Sequence, residues 1–566
     1  MRRLVSLALA FATALFGFTA SMGITRSLLA ATLIAATVAT LVAWRTFRHP
    51  IIALDERACS RGLKVVALVA TLAAFGMLVR QTVFTVDPSR VSYALASSSV
   101  WDTQHSCLSA YAVAAEAASA HRNVYDASLY ALPDDDPGSP RKSRSIGPFK
   151  IDTFEYPPPF LFLPRALRLL TPAFLDLRML WFALDGGLLL LALVIVARFM
   201  GPTFGTRALL FSPLVWAAVP TVSTLQKGNV QAMVIAASMI AMVLFERRRF
   251  ASGGLVLAFA TVSKLYPGLL VVYLLARRQW RAAIWTTAMS VALTVLTIVD
   301  LGWASFSDFL HHLPGLVGGE AFPAFRFPPA TAVNLSIPGL AFKLKLFGVP
   351  GMGFGAAKIL GWIFTPIALA VTVLAARRPQ STAEKPLLWL AILLLATLRS
   401  PFLPVAYGVF PGLWLVTLLA ATAPPNARTL VWTLVAWATL NIYWPLDWPL
   451  DPRVLALAML LPQTLMIVLV VLALRRRLPR ASESPSPDEI PPAAKERRAV
   501  EIDVGSRAGD RQLRRRVPSR AGLIGKRRAE ADVQAGHVLV AQDLAGGRAD
   551  SDVGAEHQHA HAVAVL

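Results

Sequence analysis

The chain has 566 residues, of which 55% are hydrophobic and 16% are charged, and its formal net charge is +22. Because soluble domains carry about a quarter charged residues, this composition excludes an ordinary soluble protein and favours a polytopic helical membrane protein. The positive charge does not indicate a nucleic-acid partner, since Arg and Lys cluster at the ends of apolar blocks, as cytoplasmic loops of membrane proteins require.

Apolar blocks near the length that crosses a bilayer follow one another along most of the chain. They predict an all-α fold with about 12–13 transmembrane helices, at residues 4–22, 27–45, 64–80, 179–198, 206–222, 229–246, 253–275, 281–300, 353–375, 386–399, 402–420, 427–443 and 454–474. The first block follows Met1-Arg2-Arg3 and also resembles a signal peptide. Its cleavage signal is weak, so we expect a retained helix.

Basic clusters determine the predicted orientation, because cytoplasmic loops are enriched in Arg and Lys. Clusters such as Arg247-Arg248-Arg249 and Arg475-Arg476-Arg477 are then inside. Two long loops that contain acidic residues are outside, at 81–178 and 300–350.

The block 253–275 does not fit a single crossing, because arginine clusters flank it on both sides, at 247–249 and 277–278. Its middle reads Lys264-Leu265-Tyr266-Pro267-Gly268. Proline and glycine break helices, and lysine is costly at membrane depth. We therefore predict a re-entrant hairpin of two half-helices that enters from the inner side, with Lys264 facing a polar interior.

The loop 81–178 is far longer than most helix connections, and long loops are usually functional or disordered. It mixes acids, aromatics and helical apolar spacing, so we expect a folded external platform with interfacial helices. Asp102 precedes an alanine-rich helix and is either an N-cap or a general base. Asp152 and Glu155 precede a triple proline and are alternatives for the base.

Two other groups in this loop have two interpretations each. The run 134–136 of three aspartates binds a divalent cation or is a solvated loop tip. Arg165 and Arg168 hold a phosphate or extend to lipid headgroups.

Cationic and amide side chains elsewhere are candidates for binding a phosphate. The string Gln226-Lys227-Gly228-Asn229-Val230-Gln231 is predicted to begin the sixth span, and it forms either an anion site at a helix N-terminus or a polar helix start. In the second external loop, His311, His312 and Arg326 are candidates, but their spacing is not a zinc motif. Cys59 and Cys107 are predicted on opposite faces, so we expect neither a disulfide nor a metal site.

Several short strings, in this order, resemble glycosyltransferase family 87 of the GT-C superfamily. They are Asp102 with 111–116 and 123–125, Tyr156-Pro-Pro-Pro-Phe160 through Pro164, Gln226 to Gln231, Gly253-Gly254 with Lys264 to Pro267, and Arg277-Arg278-Gln279-Trp280. The resemblance extends over about 64–475.

This resemblance implies an inverting hexosyltransferase, such as a mannosyltransferase, at the outer face of a bacterial plasma (inner) membrane. It implies a polyprenyl-phosphate-linked sugar donor, a lipid- or glycan-linked acceptor and Asp102 as general base. The residues themselves offer Lys227, His311, His312 and Arg326 as candidate cations for the phosphate, with Asn229 beside Lys227. Lys264 either binds the phosphate too or supports the floor of the cavity without touching substrate. No cofactor and no metal are expected.

The predicted domains are two additional N-terminal helices (1–63), a GT-C-like catalytic domain (64–475) and a disordered basic cytoplasmic tail (476–566), whose composition also fits a gene-end artefact. The rival function classes are a transporter or lipid flippase, which would also contain broken helices, and a structural scaffold. We find no internal repeat of spans, which favours the enzyme.

Overall fold

Helices dominate the computed structural model, which describes residues 2–49, 54–132 and 142–478. Among the described helices, eight are long and apolar enough to cross a membrane, or nine if one bent pair counts as a single span. The predicted all-α polytopic fold is therefore confirmed. The acidic run 134–136 and the tail from Pro479 lie outside the described residues.

The described elements follow in chain order. The first part contains α1 (Arg2–Thr25), α2 (Leu28–Arg48), α3 (Arg61–Val86), α4 (Val100–Gln104), β1 (His105–Ser106), α5 (Cys107–Ser119), β2 (Ser145–Ile146), β3 (Phe149–Ile151) and α6 (Phe162–Leu170). The middle contains α7 (Phe174–Phe199), α8 (Gly201–Trp216), α9 (Val219–Lys227), α10 (Gln231–Glu246), α11 (Phe250–Ser263), α12 (Gly268–Ala276), α13 (Trp280–Leu301), α14 (Trp303–Gly318), α15 (Pro328–Ala332) and α16 (Gly339–Leu346). The last part contains α17 (Phe354–Arg377), α18 (Glu384–Leu398), α19 (Val405–Gly408), α20 (Phe410–Thr422), α21 (Ala427–Leu440), α22 (Pro452–Ala458) and α23 (Leu460–Arg475).

Fewer helices reach spanning length than the predicted 12–13, because several predicted spans form shorter or broken helices. The block 206–222 forms α8 and α9, which bend by 63° at a break next to Pro220. Helices α10, α11 and α21 are apolar but have only 16, 14 and 14 residues. Helix α10 is buried along nearly its whole length, so protein rather than lipid surrounds it and the membrane thickness does not set its length.

The long loop 81–178 folds as a platform, as predicted. Strand β1 pairs in parallel with β3, which pairs antiparallel with β2. Tyr111 of α5 is buried against Phe160, Tyr156 and Trp181, with ring centroids 4.8, 5.0 and 5.3 Å away. Because Trp181 belongs to α7, these aromatic contacts hold the platform directly on a membrane-spanning helix.

Helix α6 is the amphipathic element of the platform. Leu169 and Leu170 at its end are exposed, whereas Arg165 pairs with Asp300 and Arg168 with Glu116. The exposed leucines suit the membrane interface. Both arginines therefore pair with carboxylates, and not with the phosphate or the lipid headgroups that the sequence suggested.

The predicted hairpin is present as α11 and α12, which are separated by Lys264-Leu265-Tyr266-Pro267. At the start of α11, Gly254 packs closely on Trp285 of α13. A Cβ added to Gly254 would lie 2.8 Å from the backbone carbonyl carbon of Trp285. Near the end of α12, Tyr273 donates to Gln380. Since α12 leads through a short turn into α13, both ends of the hairpin lie at the same end of the bundle and its tip points away from them.

Labelling of single cysteines tests this topology. In a parent chain with Cys59→Ser and Cys107→Ser, we expect Phe250→Cys and Gln279→Cys to react with a membrane-impermeant maleimide only after the inner side is opened. Lys150→Cys, on the exposed face of β3, should react from outside and serves as the control. Labelling of positions 250 and 279 from opposite sides would contradict the hairpin.

Candidate active site

Asp102 lies in the first turn of α4 and does not cap this helix. The cap is Ser99, whose hydroxyl oxygen accepts a hydrogen bond from the Asp102 N–H at 3.2 Å. Asp447 holds the same helix end, because its carboxylate accepts from the Ser99 hydroxyl and from two backbone N–H groups of α4. The side chain of Asp102 is therefore free of a capping role and points into the protein.

The Asp102 carboxylate forms a fully buried ion pair with Lys227. The Lys227 Nζ lies 2.9 Å from Oδ1 of Asp102, and both side chains are 0% exposed. Lys227 also donates to the Ser223 hydroxyl at 3.0 Å. The Tyr443 hydroxyl lies 2.8 Å from each carboxylate oxygen. A buried charge is tolerated only when paired and hydrogen-bonded, and Asp102 meets both conditions.

Tyr443 remains a hydrogen-bond donor in this cluster. Burial, reinforced by the neighbouring Asp102 carboxylate, raises the pKa of Tyr443 above its usual value. Its hydroxyl is therefore protonated and directed at the carboxylate.

Gly228 determines where Lys227 sits. It ends α9 in the left-handed conformation, with φ of +64°, and a Cβ there would meet the Cβ of Leu108 at 2.9 Å. Glycine tolerates both conditions. Lys227 is consequently the last residue of α9, whereas the sequence predicted it at the start of the next span. Helix α10 begins only at Gln231.

Gln226 ties the ion pair to the platform. Its amide nitrogen donates to the Asp102 carbonyl, and its amide oxygen accepts from Gln81 at 3.0 Å and from the Leu95 N–H at 2.8 Å. Helices α3, α4 and α9 are thereby joined through one buried side chain.

A second polar cluster adjoins the ion pair through Asn229. The Asn229 amide nitrogen donates to the Cys107 sulfur at 3.3 Å. Its oxygen faces Lys264, the tip residue of the hairpin, at 3.5 Å, and Lys264 also donates to Gln231 at 3.0 Å. The predicted polar environment of Lys264 is present, and it consists of amide oxygens at the start of α10.

His105, Cys107 and Asp152 meet beside Asn229, with their ligand atoms all within 4.8 Å of one another. Burial, with a smaller effect of the Lys227 charge, lowers the pKa of His105 to about 3, so the ring is neutral. Burial, followed by the Asp152 carboxylate, raises the pKa of Cys107 to about 12, so the thiol is protonated. Nothing in the spacing of the cysteines predicted this cluster.

The remaining predicted site residues have other surroundings. His311 bonds the Ser307 carbonyl within α14, and the His312 ring packs on Tyr125 at 5.1 Å. Arg326 lies at the exposed end of a short turn. Glu155 lies near enough to Lys264 for an electrostatic interaction. The structure thus joins Asp102, Lys227, Asn229 and Lys264, and among the residues that it describes no contact links the second loop to Asp102.

Sequence reasoning missed Tyr443, Ser99 and Asp447 as parts of the site. Tyr443 and Asp447 belong to an irregular segment between α21 and α22, more than 340 residues from Asp102 along the chain. A short tyrosine- and tryptophan-containing connection has no chemical pattern that distinguishes it from an interfacial loop.

Comparison with known families fits this arrangement. Residues 154–404 match the model of glycosyltransferase family 87. The chain is a membrane glycosyltransferase that resembles family 87. The matched range includes Lys227, Asn229 and the hairpin of this glycosyltransferase, whereas Asp102 and Tyr443 lie outside it. No curated protein and no solved structure matches the chain.

Loss of one member of the ion pair should destabilise the protein. Because Lys227→Met leaves the Asp102 carboxylate buried without its cation, we expect a loss of about 3–5 kcal/mol, seen as a lower unfolding midpoint in detergent. The double variant Asp102→Asn/Lys227→Met removes both charges and should recover most of the lost stability. The control is Lys358→Met, at a half-exposed pair with Glu320, which should cost at most about 1 kcal/mol. Equal losses in the single and double variants would refute the pairing.

Proposed function

We propose that this glycosyltransferase transfers a hexose such as mannose from a polyprenyl-phosphate donor to a lipid- or glycan-linked acceptor, with inversion, at the outer face of the plasma membrane. Asp102 is the proposed general base. The observation that carries the proposal is the buried Asp102 carboxylate, held by Lys227 and Tyr443 on a folded loop beside the membrane helices. The family match supports the reaction class.

The chemistry requires few groups. An acceptor hydroxyl oxygen attacks the anomeric carbon opposite the phosphate and forms the new glycosidic bond. The bond from that carbon to the phosphate oxygen breaks, and polyprenyl phosphate leaves with the electron pair. The acceptor proton passes to Asp102, which must lie within about 2.6–3.2 Å of the hydroxyl. The leaving phosphate requires cationic or amide donors.

Tyr443 indicates how an acceptor would reach the base. Its hydroxyl donates to both oxygens of Asp102 at 2.8 Å, which is the geometry that a general base requires of a substrate hydroxyl. Since Asp102 is enclosed, we propose that the acceptor hydroxyl displaces the Tyr443 hydroxyl when the segment between α21 and α22 moves. The Lys227 contact would be retained and keep the carboxylate in place.

Lys264 is the proposed main cation for the leaving phosphate. Lys227 is engaged by Asp102, whereas Lys264 bonds the neutral amide oxygens of Asn229 and Gln231. An anion competes well for such an ammonium, because a hydrogen bond between two charged groups is stronger than one to an amide. The contacts of His311 and His312 give no support for a role at the phosphate.

Substitution of the base provides the first test. We expect Asp102→Asn to lower glycosyl transfer by about 10²–10⁴-fold, measured with purified protein in nanodiscs, radiolabelled polyprenyl-phosphate hexoses and a membrane-lipid extract as acceptor. Asp126→Asn is a matched control, because Asp126 caps a short turn of the same loop and should leave the rate unchanged.

The same assay ranks the alternative bases. Asp152→Asn or Glu155→Gln should retain more activity than Asp102→Asn. Full activity of Asp102→Asn in folded protein would remove Asp102 as the base. Transfer from a nucleotide sugar instead of the lipid-linked sugar would overturn the proposed donor.

Substitution of Lys264 tests the phosphate role. Because a hydrogen bond to a charged group contributes ~1.5–3 kcal/mol, Lys264→Met should lower kcat/KM for the donor by about 10- to 100-fold. Lys264→Arg keeps the charge and should retain more activity. A change confined to the KM of the acceptor would contradict the assignment.

A further inference from the structure

The geometry points to a zinc site formed by His105, Cys107 and Asp152. The His105 Nε2 lies 3.5 Å from the Cys107 sulfur and 3.7 Å from Oδ2 of Asp152. Zinc binds sulfur at ~2.3 Å and nitrogen or oxygen at ~2.0–2.2 Å. In a tetrahedral shell, those bond lengths separate the ligand atoms by roughly 3.3–3.6 Å. The two separations from His105 are therefore close to those of zinc ligands, and all three ligand atoms lie within 4.8 Å of one another.

The strand register explains why residues distant in the chain converge here. His105 pairs with Lys150, and Ser106 pairs with Ile151, in a parallel ladder. The residues that follow the two strands are Cys107, which begins α5, and Asp152, and they consequently lie side by side. The backbone at Ser106, between His105 and Cys107, is extended, so the two side chains lie on the same face.

Neighbouring groups orient each proposed ligand, as is usual around bound metals. The His105 ring stacks on Trp101, with centroids 3.8 Å apart. The Asn229 amide donates to the Cys107 sulfur, and the Thr153 N–H donates to Oδ1 of Asp152 at 2.9 Å. Oδ2 of Asp152, the oxygen nearer His105, is the one that would bind the metal.

The donor set selects the metal class. A thiolate with an imidazole favours zinc over magnesium, calcium or manganese, which prefer oxygen ligands. Zinc, one thiolate and one carboxylate sum to zero charge, which suits a largely buried site. Binding releases the thiol proton of Cys107 to solvent. The Asp152 side chain is 38% exposed, so water can reach the fourth position, as in zinc sites with three protein ligands.

Metal content tests the inference without any assay of transfer. The protein should be purified without a histidine tag, with a thiol-free reductant, and with His557, His559 and His561 replaced by alanine so that the tail does not bind zinc. After loading with zinc chloride and dialysis, we expect about one zinc per chain by mass spectrometry. The Cys107→Ser and His105→Ala variants should lose at least about tenfold in zinc affinity.

Cys59→Ser is the matched control, because Cys59 is the only other cysteine and it should leave zinc binding unchanged. Cobalt should give a thiolate charge-transfer band in the parent and in Cys59→Ser but not in Cys107→Ser. If Cys107→Ser fails to fold, Asp152→Asn, at a partly exposed residue, gives the same comparison. Absence of zinc from the loaded parent, or zinc retained equally by folded Cys107→Ser and Cys59→Ser, would overturn the site.

Discussion

The buried ion pair between Asp102 and Lys227 is the interaction on which the rest of the site depends. Two charges leave water completely, and their desolvation is offset only while the pair and its hydrogen bonds remain intact. This condition limits the positions of α4 and α9, since each delivers one charge. Three groups hold those two helix ends in position. They are the left-handed Gly228, the Gln226 amide and the Asp447 carboxylate.

The broken helices serve the same geometry. Helix α9 ends beside the platform because its connection with α8 is bent by 63°, and the α11–α12 hairpin turns back at Lys264. Non-helical backbone within a helical membrane protein must be surrounded by protein or water. Here the breaks place polar residues against the start of α10. The same breaks that interrupt the helices therefore also form the polar cluster.

Local chemistry made part of this structure predictable. The break at Lys264 to Pro267 followed from residues that cannot continue a helix, and the folded platform followed from its mixture of apolar spacing and acids. Asp102 was identified as an important acid, but its partners are 125 and 341 residues away along the chain. Lys227 was assigned to the wrong helix, because the φ of Gly228 depends on its close approach to Leu108, which only the tertiary structure supplies. The parallel pairing that aligns Cys107 with Asp152 is likewise a long-range event between very short strands.

The position of Tyr443 has a consequence for biosynthesis. The three segments around the carboxylate emerge from the ribosome in the order of Asp102, Lys227 and Tyr443, and the last is separated from the first two by more than ten helices. The charge pair can therefore form while α10 to α21 are still unsynthesised, but the phenol that encloses it emerges only after them. A nascent chain would carry an open, partly hydrated carboxylate until the segment after α21 is in place, so the maturation of the site is tied to synthesis of these later helices.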